Sequence, residues 1–333
     1  MGKTKYIFSV GELKRQDNSL CYRKEGTYAS PNHIPIEQIR ELYLMNEVSI
    51  NTKLLDYLSR MGIVVHFFNY YGHYSGTFYP KEYLISGKLK INQAIAYTDP
   101  RRYQIAKAIV NGIAINMREV LYHYYRHDKK MLKDFLDYCQ SVESLLEKQN
   151  HIKHILRVEG SLWARFYETF KHFLKEDFIM SKRVKRPPDN PINALISFGN
   201  SMLYTKTITM IYHTHLDQSI SYLHEPSESR FSLSLDLSEV FKPIIVYKTI
   251  FELVNNKKIL LAKHFDKKLN YCLLNEQGKQ IFIKAFEERL AKTFKHPVLN
   301  RNVSLETAIK LDGYKLIKYL MEDKPFEPFQ LKV

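Results

Sequence analysis

Residues 221–243, SYLHEPSESRFSLSLDLSEVFKP, place a serine and leucine run with good packing character between His224 on one side and Asp236 and Glu239 on the other. Helical spacing of apolar residues resumes within this stretch and is predicted to continue over 236–255, so a core helix carries metal-capable side chains at its start. Asp236 and Glu239 are three residues apart and share a face of a helix that begins near Asp236. The same spacing allows Asp236 to be the N-terminal cap and Glu239 its capping-box partner, a reading that weakens Asp236 as a direct ligand more than Glu239.

Outward from this stretch the chain divides by pattern. Short runs rich in β-branched and aromatic residues, KYIFSV at 5–10, SLCYRK at 19–24 and IRELYLM at 39–45, are separated by Gly, Pro, Asn and Asp clusters and predict strands. NTKLLDYLSRMG predicts one helix, capped by Asn51 or Thr52 and ended by Gly62, before two further strands around a Tyr-Tyr-Gly turn. Asp99 and Pro100 mark a helix start, and helical periodicity then recurs at 130–147, 150–175, 191–215, 236–255, 279–294 and 304–322. The predicted fold class is α+β: a small β-rich domain at 1–85, a linker at 86–98 and a larger, mostly α-helical domain at 99–333.

Lys and Arg number 50 against 35 Asp and Glu, a formal charge of +15. Such an excess attracts polyanions, and nucleic acid is the usual one for a soluble protein. There is no apolar run of about 18 residues and no signal-peptide pattern, so a cytoplasmic protein without a membrane partner is expected. Cys21, Cys139 and Cys272 are widely spaced and odd in number, which argues against a disulfide framework or a zinc knuckle.

Three pairs, His123 with His127, His151 with His154 and His213 with His215, are the number of chance pairs that 13 histidines produce. Glu159 is a stronger candidate: HILRVEGSLWARFYETF places it at the front of an amphipathic helix, in a seam with Leu162, Trp163 and Phe166. A carboxylate buried there needs a metal or a cation, whereas a helical glutamate facing water needs neither. Together Glu159, His224 and Glu239 make a mixed oxygen and nitrogen site suited to Mg²⁺ or Mn²⁺, the imidazole favouring Mn²⁺. Lys182, Arg183, Lys185 and Arg186 form a basic run before a proline-bounded loop, either a solvated cluster or a phosphate contact beside that site.

VEGSLWARFY, PPDNPINALISFGNSMLY, the YLH triplet and RFSLSLDLSEVFKP occur in that order behind a β-rich region. In this the chain resembles the CRISPR-associated integrase and endonuclease family of spacer acquisition over nearly its whole length, and HFFNYYGHYSGTFYP resembles its subtype I-B branch. The resemblance implies a metal-dependent DNA endonuclease and integrase, with Glu159, His224 and Glu239 as metal ligands, Asp236 as a further catalytic acid and Asn193 in a supporting role. It also implies a homodimer formed through the β-rich domain, and a small ferredoxin-like CRISPR-associated partner with which it assembles into a heterohexamer. Its DNA is a prespacer duplex and the CRISPR repeat. Many members carry small residues after the Glu-Gly pair, where this chain has Leu162 and Trp163. Two rivals share the composition: a metal-dependent nuclease of branched DNA or RNA that does not integrate, and a non-catalytic nucleic-acid-binding protein.

Overall fold

A computed structural model of the chain describes residues 2–28, 30–125, 132–185, 187–226, 230–268 and 271–331. Two units are distinguished, Met1–Tyr83 and Leu84–Val333.

In the first unit the strands are β1 (Lys3–Ile7), β2 (Gly11–Gln16), β3 (Ser19–Lys24), β4 (Asn32–Pro35), β5 (Ile39–Leu44), β6 (Val48–Ser49), β7 (Val64–Phe68) and β8 (Tyr74–Phe78). They form two four-stranded sheets, ordered β1-β5-β7-β8 and β4-β3-β2-β6. The expected strand at 5–10 stops at Ile7, and the charged GELKRQ that follows is a strand of its own because its one deeply buried residue, Leu13, anchors it in the core. Leu13, Leu20, Leu42, Leu44 and Val65 meet Leu54 and Leu58 of helix α1 (Thr52–Arg60) in that core. Asn51 caps α1 by accepting the Leu54 N–H at 3.0 Å. At the other end Gly62 adopts φ 66° while the amides of Gly62 and Ile63 return to Ser59 O and Leu58 O, a Schellman closure.

The second unit is helical: α2 (Gly87–Thr98), α3 (Arg101–Tyr125), α4 (Lys133–Glu147), α5 (Ile152–Glu168), α6 (Pro191–Tyr212), α7 (Ser232–Phe241), α8 (Lys248–Asn255), α9 (Leu261–His264), α10 (Glu276–Leu290) and α11 (Leu305–Glu322). Two small hairpins, β9 (Phe265–Lys268) with β10 (Tyr271–Leu274) and β11 (Thr293–Lys295) with β12 (Asn302–Ser304), interrupt it. The linker expected at 86–98 is instead α2, part of this unit. Ser86 caps it, Leu89, Gln93 and Ala96 are buried, and Gln93 exchanges two hydrogen bonds with the Asp217 backbone at 2.9 and 3.1 Å. Its buried strip is narrow and its other face polar or openly apolar, which is why the sequence lacks a strong helical pattern.

Helix α6 is buried along nearly its whole length and begins at Pro191, with Asn190 accepting the Asn193 N–H at 2.9 Å. Against it run α7, a π-helical segment at Lys242–Tyr247, and α8, a continuous rod. Pro243 explains the π segment. It has no N–H for the Glu239 carbonyl four residues back, and its ring crowds that carbonyl, so the turn widens. The C-terminal strand of chain is held to the same rod: Asn116 of α3 donates to Val240 O and Phe329 O, each at 2.9 Å, and accepts the Leu331 N–H at 2.8 Å. Asp312 of α11 accepts the Phe329 N–H at 2.7 Å.

Close approach at Gly199 fixes α6 against this rod. A methyl group there meets Val246 Cγ1 at 2.6 Å and Phe282 Cζ at 2.8 Å, distances that no real contact shows. Gly199→Ala is expected to destabilise the second unit by about 1–3 kcal/mol. Thermal unfolding checks this, and an unchanged melting temperature contradicts the tight packing.

Candidate metal-binding and catalytic site

The Asp236 carboxylate organises the site. It lies in the fifth position of α7, fully buried, and accepts four hydrogen bonds from the preceding loop. Oδ2 takes the amides of Tyr222 and Leu223 at 2.7 and 2.8 Å, and Oδ1 takes the His224 amide at 3.1 Å and its ring Nδ1 at 2.8 Å. The capping-box reading is therefore overturned: α7 starts at Ser232, and Asp236 serves the amides of another segment. Each of its oxygens accepts two hydrogen bonds.

The consequence falls on His224. With Nδ1–H donating to Asp236, Nε2 carries the lone pair and is the nitrogen able to ligate or to accept a proton. Burial opposes protonation of this imidazole, but the hydrogen bond and charge of Asp236 outweigh it, with Glu239 and Glu159 adding to them, so its pKa is raised.

Glu239 lies one turn beyond Asp236 and is 4% exposed. Its Oε1 is held by the Lys242 ammonium, whereas Oε2 is buried with no hydrogen-bond partner among the described residues. Glu159 lies near the middle of α5, not at its front. Burial, and after it the negative charge of Glu239, pushes its pKa up to about 7, against smaller opposing effects from Lys242, His224 and a Trp163 hydrogen bond. The three predicted ligands thus share one electrostatic neighbourhood. Among the described residues, however, no three His, Cys, Asp or Glu side chains form a group close enough to hold a metal ion.

Aromatic packing sets the distance between α5 and the π segment. Trp163 and Phe166 meet Tyr247 at centroid separations of 5.4 and 5.1 Å, and the Tyr167 and Tyr247 hydroxyls are 2.8 Å apart. Desolvation pushes Tyr167 up to about 12, so this pair is neutral. Trp163 is therefore a packing element that also presents its ring centre 5.7 Å from Lys242 Nζ.

Other predicted residues lie as follows. Asn193 is fully buried: Nδ2 donates to Lys182 O at 3.0 Å and Asp189 Oδ1 at 2.8 Å, while Oδ1 accepts from Arg183 at 3.1 Å. It clamps the loop before α6. Of the basic run, Lys182 and Lys185 are exposed, and Arg186 lies outside the described residues. Arg183 is half-buried, its guanidinium donating to Asn193, Val184 O and Ser197 Oγ, the last at 2.9 Å. His127 lies outside the described residues, and the His151 and His154 rings meet edge to face on the surface. Lys242 was missed by sequence reasoning, although its place three residues after Glu239 is the spacing of a helical ion pair.

Comparison with known proteins agrees with the fold and the motif order. A family model described as CRISPR associated protein Cas1 matches residues 5–288. The CRISPR-associated endonuclease Cas1 3 of Thermodesulfovibrio yellowstonii is 43% identical over 326 residues, 98% of each chain. The structure of a CAS1 protein from Thermotoga maritima is similar with a TM-score of 0.86 at 37% identity, covering 97% of this chain and 99% of that one. A casposase bound to integration product shares the fold with a TM-score of 0.85 at 21% identity, over 99% of this chain and 94% of that one.

Two substitutions separate positioning from ligation. Asp236→Ala leaves the buried amides of Tyr222 and Leu223 and the half-buried amide of His224 without this acceptor and is expected to cost about 3 kcal/mol in denaturant unfolding of the metal-free protein. Glu159 acts in the opposite sense. Its folded pKa of about 7 exceeds the ordinary 4.5, so the folded chain binds the proton more tightly; this contribution is complete below about pH 4.5 and is lost as pH rises through about 7. Metal-free Glu159→Gln should therefore gain stability relative to wild type between pH 5 and pH 8; parallel pH profiles contradict the assignment.

Proposed function

The chain belongs to the family of CRISPR-associated protein Cas1, and from that premise we propose that it is a metal-dependent DNA endonuclease and integrase. It inserts new spacer DNA into a CRISPR array, the 3′-hydroxyl of a DNA end attacking a phosphodiester at the repeat boundary. The observation that carries this reading is the Glu239 oxygen buried without a partner beside Glu159 and His224. Such an atom is costly to leave unsatisfied and signals a ligand. Two carboxylates and an imidazole suit Mg²⁺ or Mn²⁺ in kind, so Glu159, His224 and Glu239 are the residues to hold it. When bound, the metal polarises a phosphoryl oxygen and stabilises the charge that develops there.

The chain's own residues prepare for this. Asp236 fixes the tautomer of His224 and so keeps Nε2 available as a donor. Glu159 holds a proton near neutral pH in the metal-free protein and gives it up when a cation binds, which makes affinity rise with pH. Lys182 and Lys185, exposed before α6, contact DNA phosphates, and the formal +15 charge favours a duplex. The casposase of the same fold, bound to integration product, supports the joining half of the activity. The partners are the prespacer duplex and CRISPR repeat, a second copy joined through the β-rich unit, and a small ferredoxin-like CRISPR-associated protein in a heterohexamer.

A strand-transfer assay tests this: protein and small partner, a duplex with free 3′-hydroxyls, a supercoiled repeat-bearing plasmid, and Mn²⁺ or Mg²⁺. Joined product lost in Glu159→Ala is the expected result. Nicking without joining leaves a nuclease, and neither product despite tight DNA binding leaves a binding protein. His224→Ala should abolish metal-dependent cleavage while DNA affinity, measured by titration, stays within a few-fold; full cleavage in that variant rules out the metal site.

A further inference from the structure

Asp236 holds the loop around His224 by its amides, and a second clamp holds the same loop by its acceptors. Arg102, the second residue of α3, donates from Nε to the Tyr222 carbonyl at 3.2 Å and from Nη2 to Glu225 Oε1 at 2.7 Å. The other Glu225 oxygen, Oε2, accepts the hydroxyl of Tyr97 from α2 at 2.8 Å, and the Arg102 guanidinium carbon lies 4.1 Å from the centre of the Tyr97 ring. The Tyr222 hydroxyl donates to Gln93 O of that helix at 3.3 Å. Tyr222 is thus held through its amide by Asp236 and through its carbonyl by Arg102, while Glu225, the residue after His224, is held through both carboxylate oxygens. The Arg102 side chain is 14% exposed, so its guanidinium faces protein more than solvent.

We infer that Arg102, assisted by Tyr97, is a positioning residue for His224. A ring tied at Nδ1 alone still swings with its backbone, and the anchors at 222 and 225 stop that motion on either side of it. The clamp therefore sets where His224 Nε2 stands during the reaction. This rests on the reading of His224 as a residue of the DNA-cutting reaction and requires nothing about which group its Nε2 meets. Two acceptors on different residues call for the guanidinium fork, which an ammonium does not reproduce.

Cleavage rate and DNA affinity of the full-length protein, measured separately, test the inference together with amide hydrogen exchange of the metal-free protein. Arg102→Met should lower the single-turnover rate of plasmid cleavage in Mn²⁺ by about 10- to 100-fold, the loss expected when a reacting group is misplaced by about 1 Å. DNA affinity and its salt dependence should stay within a few-fold of wild type. In the same variant the amides of Tyr222, Leu223 and His224 should exchange about 10-fold faster, with those of α6 and α11 unchanged. Arg102→Lys, which keeps the charge without the fork, should recover only part of the rate. Tyr97→Phe replaces the Met variant if the latter does not fold by circular dichroism, and it should move rate and exchange in the same directions. An unchanged rate or unchanged exchange overturns the inference. A fall in DNA affinity that accounts for the lost cleavage also overturns it and makes Arg102 a phosphate contact. Full cleavage by His224→Ala overturns the reading of His224 and the inference together, whereas an inactive His224→Ala beside a fully active Arg102→Met overturns the inference alone.

Discussion

The second unit is arranged around one buried carboxylate. Asp236 gathers three consecutive amides and an imidazole nitrogen from a loop that has no regular structure of its own. A loop passing through a core must satisfy its amides with something, and a carboxylate is the strongest acceptor a chain can supply. The fixing of His224 follows from the same bonds that make the loop tolerable in the core. Structure and chemistry are served by one side chain, and neither function can be altered alone.

The rod formed by α7, the π segment and α8 gives this arrangement its frame. Pro243 widens the turn just after Glu239, and the aromatic layer of Trp163, Phe166 and Tyr247 holds α5 against the widened part. This layer brings Glu159 and Glu239 into each other's field, and Trp163 also hydrogen-bonds Glu159. Their mutual repulsion is the electrostatic cost, and Lys242 offsets it.

Much of this was legible in the sequence. Strands 19–24 and 39–44, the Asn51 cap and the helices over α3 to α8 announce themselves through periodicity and caps. Motif order points to Glu159, His224 and Glu239 together; their charges bear on one another, but among the described residues no three His, Cys, Asp or Glu side chains form a group that could hold a metal ion. What the sequence concealed depends on tertiary context. GELKRQ has one core residue, α2 has a thin buried strip, and Asp236 looks like a cap until the helix is seen to begin at Ser232. Arg183 reads as surface charge because nothing local shows that Asn193 and Ser197 await it.

The bonds from Asn116 and Asp312 to residues 329 and 331 bear on the order of events during synthesis. Asn116 also holds the Val240 carbonyl, next to Glu239. While the chain leaves the ribosome, α3, α7 and the candidate ligands emerge well before the segment that completes their hydrogen bonding. Two polar side chains destined for the interior wait without all their partners until residues 329 and 331 have been made. A chain made as far as α7 therefore carries the candidate acidic residues but not residues 329 and 331, so the hydrogen bonding behind Glu239 is completed only after α11 has followed.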